Sequence, residues 1–301
     1  MESKWFQKAA GDRVHYLCWS IPKPRVAVVI SHGMVEHPKR YDALATFLNT
    51  KGIAVYGIYH IGHGAYAKIP NHMEPGDFDR CIENLHGLVE LAHKETGKPV
   101  ILLGHSMGSF MSQLYITRYD DLAALILSGS TKAAFMEKAG AVFARVLYVF
   151  TPDRTKPSKL MNSLAFGGYN KAFPNAKTEF DWLSRDEEQV KKYVADPYCG
   201  GICSVSFFRN LTGGMAAMGK KKLLKHINKA LPIYIQGGGS DPVSRMGKGL
   251  YELEQQYRSL GVQQVKLDVY EDARHEIFNE LNRQQVYENT LAFIESVLAD
   301  R

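Results

Sequence analysis

The sequence predicts an α/β protein: a mostly parallel central sheet flanked by helices, with an inserted helical cap. Three observations predict it. Apolar, β-branched runs alternate with helical segments through the first 130 residues. From about 131 to 230 the alternation stops, and helical stretches and loops follow without a convincing strand. From Leu231 to the C-terminal segment it resumes. Strands this apolar are buried on both faces, which is the habit of a parallel sheet covered by helices. The expected organisation is therefore a core of 1–130 and 231–301, interrupted by a cap of 131–230.

The elements follow in order. Val14–Trp19 and Val26–Ser31 read as strands. Tyr41–Gly52 has helical spacing and stops at Lys51-Gly52. Ile53–Ile58 is a strand, and Phe78–Gly97 is a helix with Asp77 placed to cap it. Val100–Gly104 is a strand, Met107–Tyr119 a helix and Ala123–Ser128 a strand. In the cap, Glu137–Phe150 is apolar nearly all round. After it, Leu231–Gly237 and Val265–Tyr270 are strands, and Gly249–Gly261 and Gln284–Ala299 are helices.

Composition narrows the function classes. The 301 residues are 45% apolar and 23% charged, as in an ordinary globular protein. A net charge of +6, spread along the chain, is no nucleic-acid signature. The N-terminal segment lacks the pattern of a secretory signal, and no apolar stretch is long enough to span a bilayer. Cys18, Cys81, Cys199 and Cys203 have no zinc-finger spacing, so free thiols in a reducing cytoplasm are expected.

The chemistry concentrates in Gly104-His105-Ser106-Met107-Gly108, a G-x-S-x-G pattern between a strand and a helix. A sharp turn there holds Ser106 Oγ out at the C-terminal edge of the sheet, and the glycines remove Cβ atoms that would clash. A serine needs a base, and in this arrangement the order is Ser, acid, His. His275, in the loop after Val265–Tyr270, is the one histidine after Leu231. Asp241, after the preceding strand and a glycine run, is the favoured acid; Asp268 lies within a strand and Asp272 is too near His275 in sequence. The N–H groups of Met34, in His32-Gly33-Met34, and of Met107 are placed to form an oxyanion hole.

These residues resemble the α/β-hydrolase superfamily, and within it the monoacylglycerol lipase and lysophospholipase group. The most specific element is similar to that group's HGxxEHxxRY signature, here His32, Gly33, Glu36, His37, Arg40 and Tyr41. The resemblance implies a serine hydrolase that cleaves an ester of one long acyl chain. It implies that Glu36 and Arg40 lie at the polar end of the substrate pocket, either fixing the loop of Met34 or touching substrate. His105, inside the serine motif, is grouped with them on the substrate side. Two departures stand out: Tyr59 begins the glycine-rich loop where an acidic residue is usual, and Phe278-Asn279 stand where the mammalian enzymes carry a second histidine.

His32, His60, His63 and His105 have no carboxylate at ligand spacing, so no metal is expected; the proposed chemistry needs no cofactor. The expected partner is a small lipid or ester, with no nucleic acid. The apolar stretch Ala139–Phe150 suits packing of the cap and lining of an acyl tunnel, with transient contact at a membrane surface as the alternative. The basic run Gly219–His226 reads as a solvated face. Rival functions are a peptidase or other small ester or amide hydrolase on this framework, and a non-catalytic binding protein.

Overall fold

A computed structural model describes residues 1–8, 11, 13–133 and 135–300, with the side chains of 135–138 left aside. The strands are β1 (Glu2–Gln7), β2 (Arg13–Trp19), β3 (Val26–Ser31), β4 (Ile53–Ile58), β5 (Val100–His105), β6 (Ala124–Ser128), β7 (Ile233–Gly238) and β8 (Val265–Tyr270). They form one sheet in the order β1-β2-β4-β3-β5-β6-β7-β8. The β1–β2 and β2–β4 pairs are antiparallel, and all later pairs are parallel.

Burial explains this layout. Every residue of β3, β4, β5 and β6 is buried, because helices cover both faces. One face packs α2 (Asp77–Thr96), α3 (Met107–Tyr115) and α9 (Lys248–Ser259); the other packs α1 (Asp42–Thr50) and α10 (Arg283–Ala299). The N-terminal β1 is the one strand absent from the sequence reading. Its inner and outer positions are mostly exposed or half-buried, so it lacks the apolar run that marked the others.

Two local details differ from expectation. Asp77 is the first residue of α2, not its cap; Gly76, at φ 97°, precedes it. The Asp77 carboxylate accepts from Glu74 N at 2.7 Å and from Arg80 Nη1 at 2.7 Å, and its charge complements the helix N-terminus. Helix α3 stops at Tyr115, and the chain turns through Ile116–Tyr119.

Between β6 and β7 the described residues hold only helices and loops: α4 (Phe135–Phe150), α5 (Lys159–Phe166), α6 (Glu187–Ala195), α7 (Val205–Met218) and α8 (Lys221–Leu224). Ala144 of α4 is fully buried, and Phe207 and Phe208 of α7 join the core on the α2/α3 side. The opposite face of α4 stays bare: Val142 is 65% and Phe150 77% exposed, with Phe143, Val146 and Val149 between them. No helix among the described residues is long and apolar enough to cross a membrane.

Candidate active site

The serine turn is built by close backbone contact. β5 ends at His105, α3 begins at Met107, and Ser106 joins them at φ 51° and ψ −120°. A residue with a Cβ adopts that conformation at a cost of about 1–3 kcal/mol. The surroundings over-determine it. Ser106 N donates to Ser128 O at 3.0 Å, and Ser106 O accepts from Ser109 N at 2.9 Å and Phe110 N at 3.1 Å. A Cβ on Gly108 would collide with the Ser31 carbonyl and lie 2.6 Å from His32 O; one on Gly104 would lie 2.8 Å from Ser109 Cα. Both glycines of the motif are therefore needed to seat α3 against β3 and β5.

Met107, first in α3, has an N–H without an intrahelical partner. The loop after β3 supplies a second free donor, Met34 N–H. Neither finds an acceptor among the described residues. A side chain on Gly33 would come within 3.2 Å of Ser106 Cβ, so this loop borders the serine directly. Four contacts hold it. Gly33 N donates to Glu36 Oε1 at 2.6 Å, and Val35 N donates to His63 Nε2 at 3.1 Å. Val35 O accepts from Tyr193 Oη at 3.1 Å and from Gly200 N at 3.0 Å.

On the far side of the serine, His275 Nδ1 lies 3.0 Å from Asp241 Oδ2. Asp241 is fully buried, and its Oδ1 accepts from Val243 N at 2.8 Å. Nδ1–H donating to this carboxylate leaves the Nε2 lone pair free to take a proton. The ring adjoins the elbow. Gly129 follows Ser128, the partner of Ser106 N, and a Cβ there would lie 2.9 Å from His275 Cε1. Burial alone would depress the His275 pKa. The charge and hydrogen bond of Asp241 overcome it, with help from Glu276 and Glu36, and the net shift is upward. Asp272, the rejected acid, is exposed and 3.8 Å from Arg185; Asp268 accepts from Tyr234 Oη at 2.5 Å.

Glu36 and Arg40 form part of a buried ion network. Arg40 Nη1 donates to Glu36 Oε2 at 2.8 Å and to Glu276 Oε1 at 2.5 Å, while Nη2 donates to Glu276 Oε2 at 2.6 Å. Tyr41 Oη donates to Glu36 Oε1 at 2.8 Å, and the Arg40 guanidinium sits 4.7 Å from the Tyr193 ring centre. His105 Nδ1 lies 3.1 Å from Ser128 Oγ, and its ring packs 4.8 Å from that of His275. All three residues are thus engaged with protein groups, and the network ties the loop of Met34 to the loop of His275.

Sequence reasoning missed Glu276, Glu280, Trp182 and Tyr193, and weighed His63 only as a metal ligand. Glu280 is fully buried; its carboxylate accepts from Arg185 N at 3.0 Å, Arg185 Nε at 2.9 Å and Arg274 N at 2.9 Å. The Trp182 ring lies 5.1 Å from that of His275 and stacks with Phe166. The available signal was the pair of glutamates at 276 and 280 around a loop histidine. Carboxylates in a buried loop imply cationic or backbone partners.

The fold, elbow and Asp–His pair define a serine hydrolase of the α/β-hydrolase class, a serine ester hydrolase. The family described as serine aminopeptidase, S33, matches residues 22–282, and the chain belongs to that family. It is 28% identical over 297 residues to a monoacylglycerol lipase of Mycolicibacterium smegmatis, covering 97% of this chain and 96% of that one. It is 28% identical over 263 residues to a monoglyceride lipase of Mus musculus, covering 86% and 78%. The crystal structure of a thermostable carboxyl esterase from Bacillus coagulans, in complex with glycerol, superposes with a TM-score of 0.87 at 24% identity, covering 99% of this chain and 98% of that one.

Two expectations follow. Gly108→Ala removes hydrolase activity, because the new methyl cannot coexist with the Ser31 carbonyl; retention of wild-type kcat/KM would contradict the packing described. The second concerns acid stability. Burial holds His60 and His105 down to about 3, His63 to about 4, and His32 well below 6.5. The unfolded chain protonates these groups near 6.5, so the stability they contribute is present above that value. It is lost as pH falls toward 4, at about 1.4 kcal/mol per pH unit for each group. His275 runs the other way, its contribution fading as pH rises through its raised pKa. Urea unfolding should therefore show a steep loss from pH ~7 to ~5, made shallower by about one group's share in His63→Gln.

Proposed function

We propose that this protein hydrolyses carboxylic esters of a single acyl chain, of the monoacylglycerol or lysophospholipid type, through an acyl-enzyme on Ser106. The observation that supports the reading is the His275–Asp241 pair, whose ring adjoins the strained turn of Ser106, together with the N–H groups of Met34 and Met107, which have no acceptor among the described residues. His275 Nε2 takes the Ser106 proton as Oγ attacks the ester carbonyl. Met34 N–H and Met107 N–H receive the oxyanion, and losing either donor costs about two to three orders of magnitude in rate. The imidazolium, stabilised by Asp241, protonates the departing alcohol. A water then enters, gives its proton to His275 and cleaves the acyl-enzyme.

Glu36, Arg40 and His105 act on the substrate side by holding the loops that carry the donors and the base. The residues of 131–230 serve as the cap, and Trp182, Phe166 and Tyr169 give the side nearest His275 an aromatic, apolar character. The exposed row from Val142 to Phe150 is suited to transient contact with a membrane surface, where such substrates reside. The four cysteines are free, in keeping with a cytoplasmic setting.

The family description names an aminopeptidase, so amide hydrolysis is the second reading. An aminopeptidase needs an available anion for the substrate ammonium. Around Ser106 the described carboxylates are committed: Glu36 and Glu276 to Arg40, Asp241 to His275. That arrangement favours an uncharged acyl ester.

Ser106→Ala should abolish release of nitrophenol from p-nitrophenyl acyl esters while leaving the circular dichroism spectrum unchanged; a variant that kept most of its activity would sink the mechanism. Asp241→Asn should lower turnover by about four orders of magnitude, and Asp272→Asn should not. In wild type the acid limb of kcat/KM should lie above pH 6.5, reporting the raised pKa of His275. A panel of monoacylglycerols, lysophospholipids and aminoacyl amides, assayed by released acid, separates the two readings: faster turnover of the amides would favour the peptidase.

A further inference from the structure

Away from Ser106, three side chains of different chemistry converge where the loop after β3 meets the segment after α6. One ring nitrogen of His37, one carboxylate oxygen of Asp196 and the Cys199 sulfur lie within 4.8 Å of one another. His37 Nε2 and Asp196 Oδ2 are 2.9 Å apart. A histidine–carboxylate pair alone does not account for the rest of the cluster. His37 Nδ1 is buried and has no partner among the described residues, and Cys199 is a free thiol. The His37 ring is therefore satisfied at one nitrogen only, and the neighbouring thiol is free to ligate.

The frame around them is rigid. Asp196 Oδ1 accepts from Tyr198 N at 2.9 Å, and Cys199 N donates to Asp196 O at 3.0 Å. Gly200 N donates to Val35 O, which fixes the distance between the two segments. The Tyr59 ring stacks on His37 at 6.3 Å, with the Tyr198 ring edge-on at 6.4 Å. The Asp196 side chain is 28% exposed, so solvent reaches the cluster and an ion has a way in. Ligand atoms about 2.0–2.3 Å from a tetrahedral zinc ion stand roughly 3.5 Å apart, so small side-chain adjustments would close this set around a metal.

We propose that His37, Asp196 and Cys199 form a binding site for a borderline-soft divalent metal ion of the zinc class, with a fourth position left to water. Mixed nitrogen, oxygen and sulfur donors select this class over magnesium or calcium, which take oxygen alone. The Cys199 thiol, held protonated by burial, loses its proton to solvent as the metal–sulfur bond forms, so affinity rises with pH. Bound metal would cross-link the loop of Met34 to the cap. The site takes no part in the ester chemistry and stands whether or not that reading holds.

The test uses full-length protein stripped of metal. Zinc chloride is titrated against a chromophoric chelator, and cobalt(II) chloride is added separately to look for thiolate-to-cobalt charge-transfer absorption. One equivalent of zinc should bind. Cys199→Ser and His37→Gln should each weaken it by more than about tenfold, and Cys199→Ser should abolish the charge-transfer band. Ser106→Ala should bind as wild type does. Melting curves of the metal-free variants report folding, and Cys199→Ser, which alters one atom, decides the matter if His37→Gln does not fold. Equal zinc affinity in wild type and Cys199→Ser, or no binding by wild type, overturns the proposal.

Discussion

The architecture of the site rests on one steric constraint, the backbone-to-backbone seat of α3 on the C-terminal ends of β3 and β5. A Cβ on Gly108 would strike the carbonyls of Ser31 and His32, and one on Gly104 would strike the first turn of the helix. With the helix this close, the connecting residue cannot relax to φ below zero, and Ser106 is held at 51°. The same seat brings the loop of Gly33 against Ser106 Cβ and leaves Met107 N–H pointing past the helix end. The strained turn at Ser106 and the free N–H at the start of α3 are thus consequences of one packing event.

Electrostatics around this seat divide into two kinds. The histidines beneath the loop, His32, His60 and His63, are desolvated and neutral, and they work as hydrogen-bonding polar groups: His63 Nε2 accepts from Val35 N–H only while unprotonated. The ions are kept in a compact set of opposite charges, Glu36, Arg40 and Glu276, whose hydrogen bonds are mutual. Buried charge is tolerated where pairing is this complete, and removal of one partner strands the others. His275 belongs to neither kind: buried as deeply, it has its pKa raised because Asp241 outweighs the loss of solvent.

Much of this was legible in the sequence, for identifiable reasons. The parallel strands were readable because burial on both faces demands unbroken apolar runs, as in Val26–Ser31. That Ser106, Asp241 and His275 lie at one edge of the sheet was readable because each follows a strand, and chain order fixes such positions. The strand Glu2–Gln7 was not, since an edge strand with polar and half-buried positions carries no such run. Glu276 and Tyr193 escaped for another reason. Their contacts are set by partners far away in the chain, Arg40 and Val35, and local spacing carries no record of those meetings. Asp77 shows the limit at finer scale: an acidic residue at a helix start signals the start, but not which side of the first turn it occupies.

The bonds from Tyr193 Oη and Gly200 N to Val35 O carry a mechanical consequence. Any motion that lifted the segment around α6 would break both and loosen the loop of Gly33 that borders Ser106. Order at that loop is therefore mechanically tied to order at Tyr193, 158 residues further along the chain, so the two segments shift together or give up both bonds.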